Sequence, residues 1–324
     1  MRVLTGIQST NFPHLGNILG AIKPALLLAK NTKEPSLFFI ADLHALTIHP
    51  DKTEHKHFVL ANAATWLAFG LDPEQNILYR QSHVPQVCEL AWYLSCLTPY
   101  STLTKAHAFK DKANNTQHIN AGLFTYPILM AADILLYHAT HIPVGTDQRQ
   151  HIEITRNLAA RFNHHYGTTF TLPQPYHQEN LPTVPGTDGR KMSKSYHNTI
   201  FPFAPEKQLK KTIMSIPTDT TPLHQSKNPD TCTIFKLYRL LATPEQTLSM
   251  QEKYLNGGYG YGDAKHALLQ LIINNFEKNK TIFQKYMHDT SAIEDILSQG
   301  EAKAQKIAIE SLQKIRKKLN LLPS

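Results

Sequence analysis

One stretch, Ala121 to Asn163 (AGLFTYPILMAADILLYHATHIPVGTDQRQHIEITRNLAARFN), constrains this chain more than any other. Proline is harmless in the first turn of a helix, so Thr125 followed by Pro127 predicts a helix start. From there Tyr126, Met130, Asp133 and Tyr137 recur at i, i+4, i+7 and i+11, which is one helix face. The positions between are mostly Ile, Leu and Ala, so the helix is expected to be buried. A carboxylate there costs on the order of several kcal/mol unless a donor meets it. A phenol, a thioether and a carboxylate on one face describe a pocket for a flat apolar ligand with one N–H or O–H. An Asp paired in the core with an Arg or Lys from elsewhere explains the same face. The face alone leaves both open.

The rest of the stretch and its surroundings set the fold class. His141 to Val144 is a short apolar run leading to Gly145-Thr146-Asp147 and a second helix, Gln148 to Asn163. Asp147 suits its N-cap, and Gln148, Ile152, Thr155, Ala159 and Phe162 form its inward stripe. A strand, a tight turn and a helix N-terminus are where α/β proteins bind anionic or hydrogen-bonding ligands. Upstream, residues 2–8 read as a strand, with Gly6 allowing close backbone approach, and a helix is expected from His14 to about Lys30. Pro24 inside it should clash with the carbonyl of Gly20 and bend it. SLFFIAD (36–42) reads as a buried parallel strand, followed by a helix around 56–70 and a strand ILYRQS (77–82). After Pro202 the periodicity is helical: 205–215, 231–242, 244–255, 262–287 and 291–319. The expected fold is therefore α/β, a Rossmann-like parallel-sheet domain followed by an all-α helical domain. The limits read as 1–201, with a connecting insertion at about 104–186, then 202–290, then a C-terminal helix over 291–324 packing back on the first domain.

Composition narrows the partners. No apolar run approaches the ~20 residues that span a bilayer, and MRVLTGIQ has no signal-peptide pattern, so a cytoplasmic protein is expected. Cys88, Cys96 and Cys232 form neither a CxxC pair nor an even set, and the apolar context of the first two reads as buried thiols. A net charge of +8 favours an anionic partner. Lys303, Lys306, Lys314, Arg316, Lys317 and Lys318 cluster late, and Lys207, Lys210 and Lys211 earlier. A solvated face explains any one cluster; together they suit RNA phosphates. The 18 histidines show no metal-ligand spacing. The polar segment from Thr104 to Asn120, with Lys105, Lys110 and Lys112, is either a surface loop or a basic loop that closes on phosphates.

Two further motifs suggest a nucleotide. PHLGN (13–17) follows the first strand and opens a helix, with Gly16 leaving room for a flat base. KMSKS (191–195) places two ammonium groups three residues apart with hydroxyls between them, which suits a departing pyrophosphate. The TYPxLMAADILLY helix and the G-x-D-Q-x-Q-H-x-E-x-T-R segment resemble the amino-acid pocket of the tryptophanyl-tRNA synthetases, and the two motifs resemble the signatures of class I aminoacyl-tRNA synthetases. Three places depart from the class or family pattern. Asn17 replaces a second histidine, as is usual among tryptophanyl enzymes. Gly6-Ile7-Gln8-Ser9-Thr10-Asn11 stands for G-I-Q-P-S/T-G, and Leu4 stands where Phe is frequent.

The resemblance implies activation of L-tryptophan by ATP with Mg²⁺, then transfer to tRNA(Trp), in a homodimer whose helical domain reads the anticodon. It implies ATP contacts from Gln8, Ser9, Thr10, His14, Gly16, Asn17, Gly145, Thr146, Asp147, Val184, Lys191, Met192, Ser193, Lys194 and Ser195. Lys191, Lys194 and Lys112, with His14 and Gln8, would carry the phosphate chemistry, and no protein metal site is implied. Asp133 would accept the indole N–H, with Tyr126, Met130, Gln148, Leu4 and His44 around the ring and amine. The rivals are a tyrosine-specific synthetase, a catalytically inactive RNA-binding paralogue and a nucleotidyltransferase. Met130 and the AADILLY context speak against tyrosine, whose buried phenol would want polar partners.

Overall fold

The computed structural model describes residues 1–48, 50–105, 120–143, 145, 148–176 and 183–322. Runs of branched and aromatic residues form its strands. β1 (Leu4–Ile7), β2 (Leu37–Ile40) and β3 (Ile77–Arg80) lie parallel in that order, with Leu4 opposite Leu37 and Leu37 opposite Ile77. All four residues of β2 are buried, as a central parallel strand requires. β4 (His141–Pro143) and β5 (Gln174–Tyr176) pair in parallel, and a bridge from Val3 to His141 sets β4 beside β1. The chain order reverses between β1 and β4, and ligands of open α/β sheets bind at the carboxyl ends of strands at such a point. Gln8 follows one of these strands and Gly145 the other.

The chain divides into two compact units, residues 1–11, 24–179 and 289–324 in one, and 12–23 and 180–288 in the other. The first holds the parallel strands and a core that includes Leu37, Tyr79, Leu90, Ile134, Ile152 and Leu312. The second is built on helices Glu206–Met214, Thr233–Arg239, Pro244–Asn256 and Tyr261–His288. Phe12 stacks on Phe201 at 4.5 Å, and Phe203 packs on Phe283 at 5.0 Å. The fold class is the expected one, a Rossmann-like parallel sheet followed by helices.

Two local expectations need correction, and the turn before Pro24 takes a form of its own. The pocket helix is Ala121–Leu136 and starts before Thr125, because Asn120 caps it by accepting the N–H of Leu123 at 2.8 Å. Pro127 therefore lies inside the helix. The first helix meets Pro24 with a widened turn: Leu15–Asn17 is α, Ile18–Ile22 is π, and Lys23–Ala29 is α again. The N–H of Lys23 reaches back to the carbonyl of Ile18, which eases the ring past the preceding turn. Cys88 and Cys96 are exposed. Helix Gln86–Leu97 buries Val87, Leu90 and Leu94 and turns the cysteines outward with Trp92.

The C-terminal helix Thr290–Lys318 seats on β3 in the first unit. Arg80 at the end of β3 bonds Glu301 at 2.5 Å and Glu294 at 2.7 Å, and His83 lies 2.8 Å from Glu301. Arg316 is held by Glu89 at 2.6 Å, so this one of the late basic residues belongs to the packing. The approach is closest at Gly300, where an added Cβ would fall 1.8 Å from the carbonyl oxygen of Leu78. Backbone cannot swing aside as a side chain does, so Gly300→Ala should destabilise by at least about 1–3 kcal/mol, the usual cost of overpacking. Thermal unfolding checks this; an unchanged Tm would mean that the helix is not seated so closely.

Candidate active site

Two clusters, one in each unit, gather the residues singled out from the sequence. In the first, Asp133 is 2% exposed among Ile, Leu and Ala side chains. Gln81, the first residue beyond β3, donates its amide to both carboxylate oxygens at 2.9 Å. His44 Nε2 lies 2.9 Å from Oδ2, and the backbone N–H of His44 is donated to Gln81 Oε1 at 3.3 Å. Burial pushes the carboxyl pKa up, and the bonds from His44 and Gln81 pull against it. Among the described residues neither an Arg nor a Lys meets this carboxylate. Each carboxylate oxygen takes two hydrogen bonds. Of the described residues only Gln81 donates to Oδ1, which leaves one acceptor position that none of them fills.

The walls come from the same helix face, from β1 and from the start of the next helix. Tyr126 is buried, with its Oη 2.8 Å from His151 Nε2 and its ring edge-on to both His44 and His151. Leu4 is buried in the same apolar cluster, and Met130 packs against it half-buried. Gln148 is half-buried at the start of helix Arg149–Tyr166, whose Ile152, Thr155, Ala159 and Phe162 face inward as expected. Gln81 and His151 carried no role in the sequence reading. The signal for Gln81 was its place beyond the carboxyl end of a parallel strand. For His151 it was membership of the G-x-D-Q-x-Q-H segment.

The second cluster joins PHLGN to KMSKS within the second unit. His14 Nδ1 accepts the N–H of Asn17 at 3.2 Å, and Asn17 Oδ1 accepts the N–H of His14 at 3.1 Å. This reciprocal cap gives Asn17, standing where a second histidine is usual, a defined part in the turn. The N–H of Leu15 reaches the carbonyl of Ile200 at 2.8 Å, and that of Gly16 reaches Met192 Sδ at 3.3 Å. Burial, and then the charge of Lys194, bring the His14 pKa down to about 3. Burial brings Lys194 down to about 8. Near neutral pH His14 is therefore a neutral ring with its proton on Nε2, and Lys194 remains mainly an ammonium. An N–H donor beside a cation suits phosphate oxygens.

Around them Lys191 is exposed, Met192 is buried with its N–H on the carbonyl of Val184 at 2.9 Å, and Ser193 Oγ lies 2.9 Å from Ser195 Oγ. Gln8 and Thr10 follow β1 half-buried, and Gly145 follows β4 exposed. Ser9 is fully buried, its hydroxyl 3.1 Å from His55 Nε2. These four sit in the first unit. Lys112, Thr146 and Asp147 lie outside the described residues.

A family model described as tRNA synthetases class I (W and Y) matches residues 1–277. The chain is 43% identical to a tryptophan–tRNA ligase of Campylobacter jejuni, over 99% of this chain and 100% of the relative. It is 42% identical to a tryptophan–tRNA ligase of Pseudomonas putida, over 99% of this chain and 74% of the relative. It is also similar to the crystal structure of the Campylobacter jejuni tryptophanyl-tRNA synthetase complexed with ADP and tryptophan. There the TM-score is 0.91 at 42% identity, covering 99% of this chain and 100% of that one. The Mycoplasma pneumoniae tryptophanyl-tRNA synthetase gives a TM-score of 0.82 at 27% identity, covering 100% of this chain and 98% of that one.

Proposed function

The chain belongs to the class I tRNA synthetases of the tryptophan and tyrosine (W and Y) family, and from that premise we propose that it is the ligase for L-tryptophan. The tryptophan carboxylate attacks the α-phosphorus of ATP, the bond to the bridging oxygen breaks, and pyrophosphate leaves. A hydroxyl of the terminal ribose of tRNA(Trp) then attacks the adenylate carbonyl, and AMP leaves. No side chain needs to be a nucleophile, so positioning and electrostatics carry the rate.

The observation that carries this reading is the open acceptor position on the buried Asp133 carboxylate. It suits an indole N–H among apolar walls, with His44 and Gln81 holding the carboxylate still. We assign the ring and amine of tryptophan to Tyr126, Met130, Gln148, Leu4 and His44. By the family resemblance ATP is assigned to Gln8, Ser9, Thr10, His14, Gly16, Asn17, Gly145, Val184 and the KMSKS residues. Lys191 and Lys194 meet the departing pyrophosphate. Mg²⁺ arrives with the triphosphate. Residues 202–290 are assigned to reading the anticodon, with Lys314, Lys317 and Lys318 on tRNA phosphates. A cytoplasmic homodimer rests on the family resemblance, and the exposed Trp92 and Tyr100 offer apolar surface for it.

ATP–pyrophosphate exchange with each of the twenty amino acids tests the assignment. Tryptophan alone should sustain exchange. Exchange with tyrosine would make this the tyrosine enzyme. No exchange with any amino acid, but retained tRNA binding, would make it an inactive RNA-binding paralogue.

A further inference from the structure

The lysines of KMSKS are exposed or half-buried, but the loop closes over a residue just beyond it that is not. Asn198 is 2% exposed. Its Oδ1 accepts the N–H of Ser193 at 2.8 Å. Its Nδ2 donates to the carbonyl of Lys191 at 3.2 Å and to Asp188 Oδ1 at 2.7 Å. Its own carbonyl accepts the N–H of Thr187 at 2.9 Å. Both amide hydrogens are thus used, and one planar group grips the backbone on either side of Met192. Asp188 extends the grip. It accepts the N–H of Arg190 at 3.0 Å and its guanidinium Nε at 2.7 Å, and that guanidinium lies 4.3 Å over the ring of Tyr196. Space for the amide exists because residue 186 is glycine: a Cβ there would fall 2.2 Å from Asn198 Cγ.

We propose that Asn198 is a positioning residue for pyrophosphate release, fixing the backbone from which Lys191 and Lys194 project. The proposal rests on the assignment of those two lysines to the departing pyrophosphate. A loop that carries no covalent chemistry works only as well as its charges are placed, and a misplacement of ~1 Å can cost ~10²-fold. The buried amide supplies that placement without touching substrate, so its loss should appear in the chemical step. The bonds named above run to residues 187–193, none of them assigned to tryptophan, so tryptophan binding should not feel its loss.

The test compares ATP–pyrophosphate exchange of Asn198→Ala and Lys194→Ala, with the tryptophan KM and Tm of each. Asn198→Ala should lower kcat by up to about 10²-fold, the cost of a ~1 Å misplacement, with KM for tryptophan within about twofold. If Lys194→Ala is slow and Asn198→Ala is not, the proposal falls and the assignment of the lysine stands. If Lys194→Ala is unimpaired, the assignment itself falls, and the proposal with it. An Asn198→Ala enzyme that loses kcat, tryptophan KM and Tm together marks a merely structural residue and overturns the proposal. A second comparison decides even if that variant fails to fold. Asn198→Asp sets a carboxylate against Asp188 and should slow exchange. Adding Asp188→Asn restores a donor between positions 188 and 198 and should recover about tenfold. A double variant no faster than Asn198→Asp overturns the proposal.

Discussion

Lys194→Ala will slow formation of tryptophanyl-adenylate about 10²–10³-fold, the cost of removing one preorganised charge-stabilising donor, and will leave tryptophan affinity nearly intact. The ammonium is assigned to charge that grows only as pyrophosphate departs, so its loss falls on the transition state and not on the ground state. Pre-steady-state activation rates and calorimetric titration with tryptophan separate the two, and an unchanged activation rate sinks the assignment. A pH signature accompanies it. With Lys194 at about 8, the free enzyme loses the cation as pH rises past that value, so kcat/KM for ATP should fall on the alkaline side. His14 at about 3 is neutral throughout the working range and adds no limb near neutrality. Lys194→Arg, whose guanidinium keeps its proton, should remove the alkaline fall whatever it does to the absolute rate. Stability runs the other way. Between about 8 and the ordinary lysine value, the unfolded chain binds more protons than the native one, so this group stabilises the fold as pH rises through that window.

What could be seen from the amino-acid sequence was whatever rests on local pattern. SLFFIAD showed β2 because a strand covered on both faces reads as an unbroken apolar run. The helices after 202 showed because each buries one stripe and exposes the rest. Hidden were the features decided by distant partners. Pro127 signals a helix start only if no better cap lies upstream, and Asn120 is one. Cys88 and Cys96 sit among apolar neighbours, yet the orientation of their helix, set by what Val87, Leu90 and Leu94 pack against, turns them to solvent. The site divides along the same line. His14, Asn17 and the KMSKS lysines announce themselves as motifs. Gln81, 52 positions from Asp133, does not, because nothing local distinguishes an amide that will meet a carboxylate from one that will meet water.

The partners found for Asp133 sharpen the remaining prediction, because the sequence offered a core Arg or Lys and the structure supplies a glutamine and a histidine. A neutral amide and an imidazole orient a carboxylate without consuming all of its acceptor capacity. On this assignment the indole N–H of tryptophan fills the remaining acceptor position on Oδ1, and phenylalanine has no group to do so. A buried acceptor left unpaired costs the wrong ligand about 1–3 kcal/mol, and sites built on such a bond discriminate by as much as ~10⁴–10⁵. Asp133→Ala should therefore lose most of the discrimination between tryptophan and phenylalanine. It also strands the Gln81 amide and His44, so Tm should fall as well. Asp133→Asn keeps the shape and one acceptor but turns an N–H₂ toward groups that now donate to it, so tryptophan binding should weaken less than in the Ala variant. A carboxylate that served only to tie Gln81 and His44 together would give the opposite pattern. Both variants would melt earlier, yet the kcat/KM ratio of tryptophan to phenylalanine would stay at the parent value. Measuring that ratio for tryptophan, tyrosine and phenylalanine beside the melting curve separates the two cases. A preserved ratio in a weakened fold would remove Asp133 from the tryptophan pocket and leave it as a core residue.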